Sequence, residues 1–147
     1  PLAICCDIVI AAESARFSLA YVNIGLNPDG GSTFFLPRLL GLQRTCYLAF
    51  TGEFVDARRA EQWGLVSQVV KDEELMEVAT ALATKLAAGP TLAMGRAKAL
   101  INQSLTESME TQMENETRAI ALSAATEDFQ EGVTAFLSKR SPVFKAR

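Results

Sequence analysis

Asp29 lies in the turn Asn27-Pro28-Asp29-Gly30-Gly31-Ser32, between an extended Phe17-Ser18-Leu19 run and an apolar helical stretch. It is the carboxylate of this chain placed most like a catalytic group. Pro28 fixes φ and Gly30-Gly31 lets the backbone reverse sharply, so the loop can hold a side chain at an element boundary, where sites are commonly built. A carboxylate so held can take a proton from one carbon and return it to another. The same residues also suit a plain structural role, because an Asp before Gly-Gly-Ser can accept from the free N–H groups of a helix start.

Other chemistry is narrowed by what the chain lacks. It has no histidine, which excludes Ser-His-Asp, Cys-His and histidine-ligated metal chemistry within these 147 residues. The three cysteines, Cys5, Cys6 and Cys46, are odd in number and show no metal-ligand spacing, so buried free thiols are expected and no metal site. Carboxylates must carry any acid–base work.

The elements that would position Asp29 are legible in outline. Residues 2–12 form a nearly continuous apolar run rich in Ile and Val, which reads as a helix end passing into a strand buried on both faces. Residues 16–19 read as a second strand. Two helical segments follow, near 31–40 and 42–50, with Gly41 between them and Pro37 inside the first. Residues 56–63 fit a short helix capped by Asp56 and ended by Gly64, and residues 65–70 fit a strand.

From Asp72 onward the period becomes helical. Leu75, Val78, Ala79, Leu82 and Leu86 share one face, Gly89-Pro90 ends that helix, and a second runs to about Gln103. A third carries Met109, Met113, Ile120 and Ala124 on one face, expected as ordinary core, with an interaction surface as the alternative because methionine adapts to varied partners. A fourth begins near Thr126 and is expected to bury Phe129, Val133 and Phe136. Residues 141–147 are expected to fray. Strands early and helices late make the fold class α/β with a helical tail.

A chain of this length can bury one domain core, and its 49% hydrophobic content with 21% charged residues reads as soluble and globular. The net charge of −3, with mixed signs, argues against nucleic acid as a partner. No stretch approaches the length of a membrane span and no basic-then-apolar leader opens the chain, so a soluble cytoplasmic protein is expected.

The residues 7–17, the turn 25–32, Leu36-Pro37-Arg38-Leu39-Leu40-Gly41, Thr51-Gly52, Asp56-Ala57, Ala60, Gly64-Leu65-Val66, Gly89-Pro90, Lys98, residues 131–140 and Phe144 together resemble the enoyl-CoA hydratase/isomerase (crotonase) family, in order and in spacing. Within it the chain is most similar to the phenylacetate-pathway isomerase-like members. The resemblance implies the C-terminal half of a ClpP/crotonase-like ββα spiral, with residues 1–70 completing the spiral core and residues 71–147 forming a helical oligomerisation region. The segment carrying both oxyanion-hole amides and much of the CoA site would lie before Pro1. A homotrimer or hexamer is implied, acting on an acyl-CoA thioester, with no cofactor because CoA is part of the substrate.

Such enzymes polarise the thioester carbonyl with two backbone amides and stabilise the enolate formed when a proton leaves the neighbouring carbon. The resemblance puts Pro1 and Tyr21 where hydratases carry their two glutamates, and neither is a carboxylate. It puts Asp29 where the dienoyl-CoA and ring-oxepin isomerases have an aspartate. Isomerisation needs one carboxylate, whereas hydration needs one group to activate water and another to protonate carbon. A catalytic Asp29 calls for a largely apolar pocket, with Phe17, Leu19, Tyr21, Ile24 and Leu26 as walls. Tyr21 could hydrogen-bond substrate or simply pack with its hydroxyl at the pocket edge. Phe136 and Lys139 match positions that reach the adenine and phosphate end of CoA in a neighbouring subunit, although a core phenylalanine beside a solvated lysine is the plainer reading of the residues alone.

The expectation is therefore an acyl-CoA isomerase of the crotonase family, moving a double bond or rearranging an unsaturated acyl-CoA with Asp29 as acid and base. An enoyl-CoA hydratase or lyase is the alternative among enzymes. A non-catalytic C-terminal fragment that oligomerises or binds CoA only is the alternative of another class. The isolated chain is expected to be inactive or nearly so.

Overall fold

The computed structural model describes residues 1–147, which form two compact units, Pro1–Thr80 and Ala81–Arg147. In the first, a 3₁₀ turn Ala3–Cys5 leads into β1 (Ile10–Ala12) and β2 (Arg16–Phe17). A second 3₁₀ segment, Ala20–Ile24, precedes α1 (Ser32–Leu40), α2 (Leu42–Thr51), β3 (Val55–Asp56), α3 (Ala57–Gln62) and β4 (Gln68–Val70). After a third 3₁₀ turn, Asp72–Glu74, α4 (Leu75–Ala87) carries the boundary between the units, and α5 (Thr91–Gln103), α6 (Met109–Ala124) and α7 (Glu127–Leu137) follow. No helix is long and apolar enough to cross a membrane.

Sheet is scarcer than the sequence suggests. β1 pairs in parallel with β4, Ala11 opposite Val69, and β2 pairs antiparallel with β3, Phe17 opposite Val55. Local chemistry explains the connections. Gly41 separates α1 from α2 at φ 80°, and Gly64 closes α3 at φ 81°, both in the range that favours glycine. The Asp56 side chain caps α3 by accepting from the Arg59 N–H at 2.8 Å. Ala57 and Ala60 are fully buried, three apart on the face that α3 turns inward, and their small side chains allow close packing beside Val55 and Leu48.

Residues 2–12 do pass from a helical turn into a strand, but the strand is not buried on both faces. The run is a 3₁₀ turn and then a strand of three residues in which only Ala11 is fully buried, while Leu2 and Ile8 are exposed. Ile10 and Ala12, which point to the opposite face from Ala11, are only half-buried. Cys5 and Cys6 are likewise exposed and Cys46 is half-buried, contrary to the expectation of buried thiols.

The helical unit departs from expectation in the same way. Phe129, Val133 and Phe136 of α7 are all exposed, Phe136 at 82%, and Met109, Met113 and Ile120 of α6 are exposed rather than core. Their spacing gives each helix an apolar face, but nothing within this chain covers it. α7 buries Asp128 and Ala135 instead.

The C-terminal segment does not fray. The Lys145 and Ala146 N–H groups donate to the two carboxylate oxygens of Asp128 at 2.7 and 3.0 Å, and the Asp128 N–H donates to the Arg147 carbonyl at 2.9 Å. Glu131 takes a bidentate pair from Arg140 at 2.6 and 2.7 Å and also accepts from the Val143 N–H at 2.8 Å. Two acidic side chains one helical turn apart on α7 thus satisfy the tail's amides.

Candidate active site

The turn that carries Asp29 is built by its glycines. Gly30 and Gly31 both take left-handed φ, 57° and 79°, and the Ser32 N–H and hydroxyl both donate back to the Asp29 carbonyl at 3.0 and 2.7 Å. Ser32 is almost completely buried, so the main chain of the turn is anchored while the Asp29 side chain stays exposed. The residue at the start of α1 is Gly31, and no side chain caps this helix. The Asp29 carboxylate is therefore not employed as a helix cap.

It is instead engaged by Tyr21, whose hydroxyl donates to Asp29 Oδ1 at 2.6 Å. That bond, which the phenol can donate only while protonated, holds it above its ordinary value of about 10, with desolvation and the nearby carboxylate charge adding to the effect. Tyr21 remains a neutral donor at physiological pH.

The segment bearing Tyr21 is fixed from both sides. Gly25 at φ 73° ends the 3₁₀ turn, and the Leu26 N–H donates to the Tyr21 carbonyl at 3.0 Å, which returns the chain toward Pro28. Gly52 at the end of α2 sits so close that an added Cβ would lie 3.0 Å from both Asn23 Oδ1 and Val22 Cγ1. Ser18 Oγ donates to the Gly52 carbonyl at 2.9 Å, tying the end of β2 to the same point. The Tyr21 ring is half-buried against the core.

Pro1 packs on the same turn. A Cβ on Gly30 would meet Pro1 Cβ at 2.7 Å, and the Cys5 thiol points to the Gly30 carbonyl at 3.8 Å. The structure thus gathers Pro1, Tyr21 and Asp29 around one turn, although Pro1 lies well before the other two in sequence.

The expected apolar walls divide. Phe17 and Leu19 line a cavity of about 60 Å³ with Pro1, Ile4, Leu36 and Leu48. Ile24 and Leu26 are exposed, at 75% and 58%, and line no cavity with them. Within this chain Asp29 has no apolar enclosure.

Phe136 and Lys139 are both exposed on the helical unit, Lys139 at the positive φ of 53° just past the end of α7. Phe136 borders an apolar cavity of about 400 Å³ together with Pro90, Leu92, Phe129, Val133 and Phe144. The sequence reading missed this cavity. Its helical residues were visible as an apolar stripe, but Phe144 belongs to the tail expected to fray, and it is held against Gly132 by the carboxylate contacts described above.

The family model for enoyl-CoA hydratase/isomerase matches residues 1–147. The chain is 44% identical over 141 residues to a 1,2-epoxyphenylacetyl-CoA isomerase of Escherichia coli (strain K12), covering 96% of this chain and 54% of that protein. It is 40% identical over 146 residues to a 2,3-dehydroadipyl-CoA hydratase of the same organism, covering 99% of this chain and 57% of that one. Among solved structures, the enoyl-CoA hydratase from Bacillus anthracis superposes with a TM-score of 0.94 at 36% identity, over 99% of this chain and 57% of its own. The chain spans about half the length of the relatives it matches. It has the crotonase fold of those structures and belongs to the enoyl-CoA hydratase/isomerase family.

Proposed function

We propose that the protein carrying this chain is an acyl-CoA isomerase in which Asp29 moves a proton between two carbons of an unsaturated acyl chain. One observation carries the reading: the Asp29 carboxylate, freed from capping duty, is paired with a neutral phenol rather than with a second carboxylate. A single carboxylate beside a group that does not ionise suits abstraction and return of one proton, and it does not supply the two acid–base groups that hydration uses. The 44% identity to an epoxyphenylacetyl-CoA isomerase supports the same choice and favours an unsaturated or ring-modified acyl group, as in phenylacetate breakdown.

In this reading the remainder of the protein supplies the oxyanion amides that stabilise the enolate and the surface that closes over Asp29. Phe17, Leu19, Ile24 and Leu26 flank the acyl chain, with Tyr21 beside Asp29 at the pocket edge, and Phe136 with Lys139 contacts the CoA end across a homotrimer or hexamer in the cytoplasm. CoA arrives as part of the substrate.

The 40% identity to a dehydroadipyl-CoA hydratase favours hydration or a lyase outcome as the second reading. The exposure of Asp29 favours the other, a chain that by itself only associates or binds CoA. Asp29→Asn in the full-length protein, assayed on a 3-enoyl-CoA thioester, separates these. Isomerase chemistry predicts a fall in kcat of about a hundredfold or more with KM within about twofold. Wild-type turnover by the variant would remove Asp29 from the mechanism.

A further inference from the structure

We propose that Tyr21 is a positioning residue for the Asp29 carboxylate, presenting Oδ2 to the substrate by holding Oδ1. This rests on the reading of Asp29 as the proton carrier and assigns to Tyr21 a task other than contact with the acyl chain.

A carboxylate on an exposed turn rotates about its terminal torsion, which is broad and roughly two-fold, so its two oxygens exchange freely unless one is held. Here Oδ1 accepts the Tyr21 hydroxyl at 2.6 Å, the length of a charge-assisted O–H···O⁻ bond, and Oδ2 is left for other work. The donor is itself fixed: Tyr21 lies in a 3₁₀ turn closed by Gly25, its carbonyl accepts the Leu26 N–H, and its neighbours Val22 and Asn23 abut Gly52. The raised phenol keeps that donor protonated across the working range.

The chemistry follows from which oxygen is free. Oδ2 takes the proton from the carbon next to the thioester carbonyl or from its vinylogue, and the C–H electron pair enters the conjugated enolate. The same Oδ2–H then gives that proton to the other terminus as the enolate electrons return to form the new C–H bond. No oxidant or second base is needed. An Oδ2–H kept facing the enolate is kept from solvent, whereas a carboxyl free to rotate would present that proton to water between the two steps. The Tyr21 hydroxyl thus favours direct return of the abstracted proton.

The test is Tyr21→Phe in the full-length protein, with a 3-enoyl-CoA thioester turned over in D₂O and deuterium in the product read by mass spectrometry. The ring, and with it the core packing, is retained. Expected are a fall in kcat of about tenfold, KM within about twofold, and a rise in product deuterium. Tyr47→Phe is the matched control, because Tyr47 donates in the same manner to Glu53. That variant should keep wild-type values.

Wild-type kcat and deuterium content in Tyr21→Phe would overturn the proposal. So would a raised KM with unchanged kcat, which would make Tyr21 a substrate contact, or joint loss of thioester binding and turnover, which would make it structural. Asp29→Asn run alongside distinguishes the two failures. Normal turnover there refutes the assignment of Asp29 itself, whereas an inactive Asp29→Asn with an unaffected Tyr21→Phe refutes only the positioning role.

Discussion

Tyr21 and Asp29, eight residues apart, are joined by a 2.6 Å hydrogen bond between phenol and carboxylate, while the helix that begins beside Asp29 starts without a side-chain cap. The chain spends an acidic side chain at the α1 turn on a phenol and not on the helix start that an acidic residue there would ordinarily serve. Asp56, by contrast, does cap its helix.

That contrast predicts a difference in stability. Asp56→Ala should cost about 1 kcal/mol, the usual consequence of removing a side-chain cap. Asp29→Ala should cost less than Asp56→Ala, since it removes one exposed hydrogen bond from Tyr21 and no helix cap. Urea denaturation of both variants checks this, and equal costs would mean that Asp29 has a scaffolding role.

Gly52 is the second lever. Its φ of 64° disfavours any Cβ, and the Cβ would lie 3.0 Å from Asn23 and Val22 in the turn that bears Tyr21. Gly52→Ala in the full-length protein should lower stability by about 1–2 kcal/mol and reduce kcat more than it raises KM, because Tyr21 is displaced. A stability loss with untouched kcat would show that the turn tolerates the shift.

The features read correctly from the sequence are those fixed by local chemistry. Gly41 and Gly64 end helices because only glycine takes their φ cheaply, and Asp56 caps because its carboxylate reaches an N–H three residues on. Asp29 stood out for similar reasons, yet the sequence left cap and catalytic group open; the structure removes the cap, since no side chain caps α1 and the carboxylate accepts from Tyr21 instead. Phe129, Val133 and Phe136 show the other limit: periodicity assigns them one face of α7 but does not say what covers it. Cys5 and Cys6 failed likewise, since an apolar run looks buried whether or not its cover belongs to the chain.

These uncovered faces give a prediction for the 147-residue chain alone. Phe136 is 82% exposed and Met109 and Ile120 more than 70%, so the chain should self-associate in sedimentation experiments. Phe136→Ser should weaken that association. If, as proposed, the oxyanion amides belong to the remainder of the protein, the isolated chain should also show negligible isomerase turnover, because losing even one such donor costs about a hundredfold to a thousandfold. A monodisperse monomer, or brisk turnover, would contradict the respective expectation.

The C-terminal clasp has a defined pH dependence. Arg140, followed by the Val143 N–H, holds the Glu131 carboxyl at about 2, below its ordinary 4.5. The folded state therefore binds this proton less readily than the unfolded state, and the contribution of Glu131 is complete above pH 4.5 and lost as pH falls through about 2. The Val143 amide, which donates to the same carboxylate, should keep its hydrogen-exchange protection from pH 7 to about pH 4 and lose it on further acidification. Glu131→Gln should lower that protection at neutral pH, because a neutral amide accepts less strongly from Arg140 and Val143. If protection in the unmodified chain vanished already near pH 4.5, Glu131 would not be the group that holds the tail, and the Asp128 contacts to Lys145 and Ala146 would have to carry it.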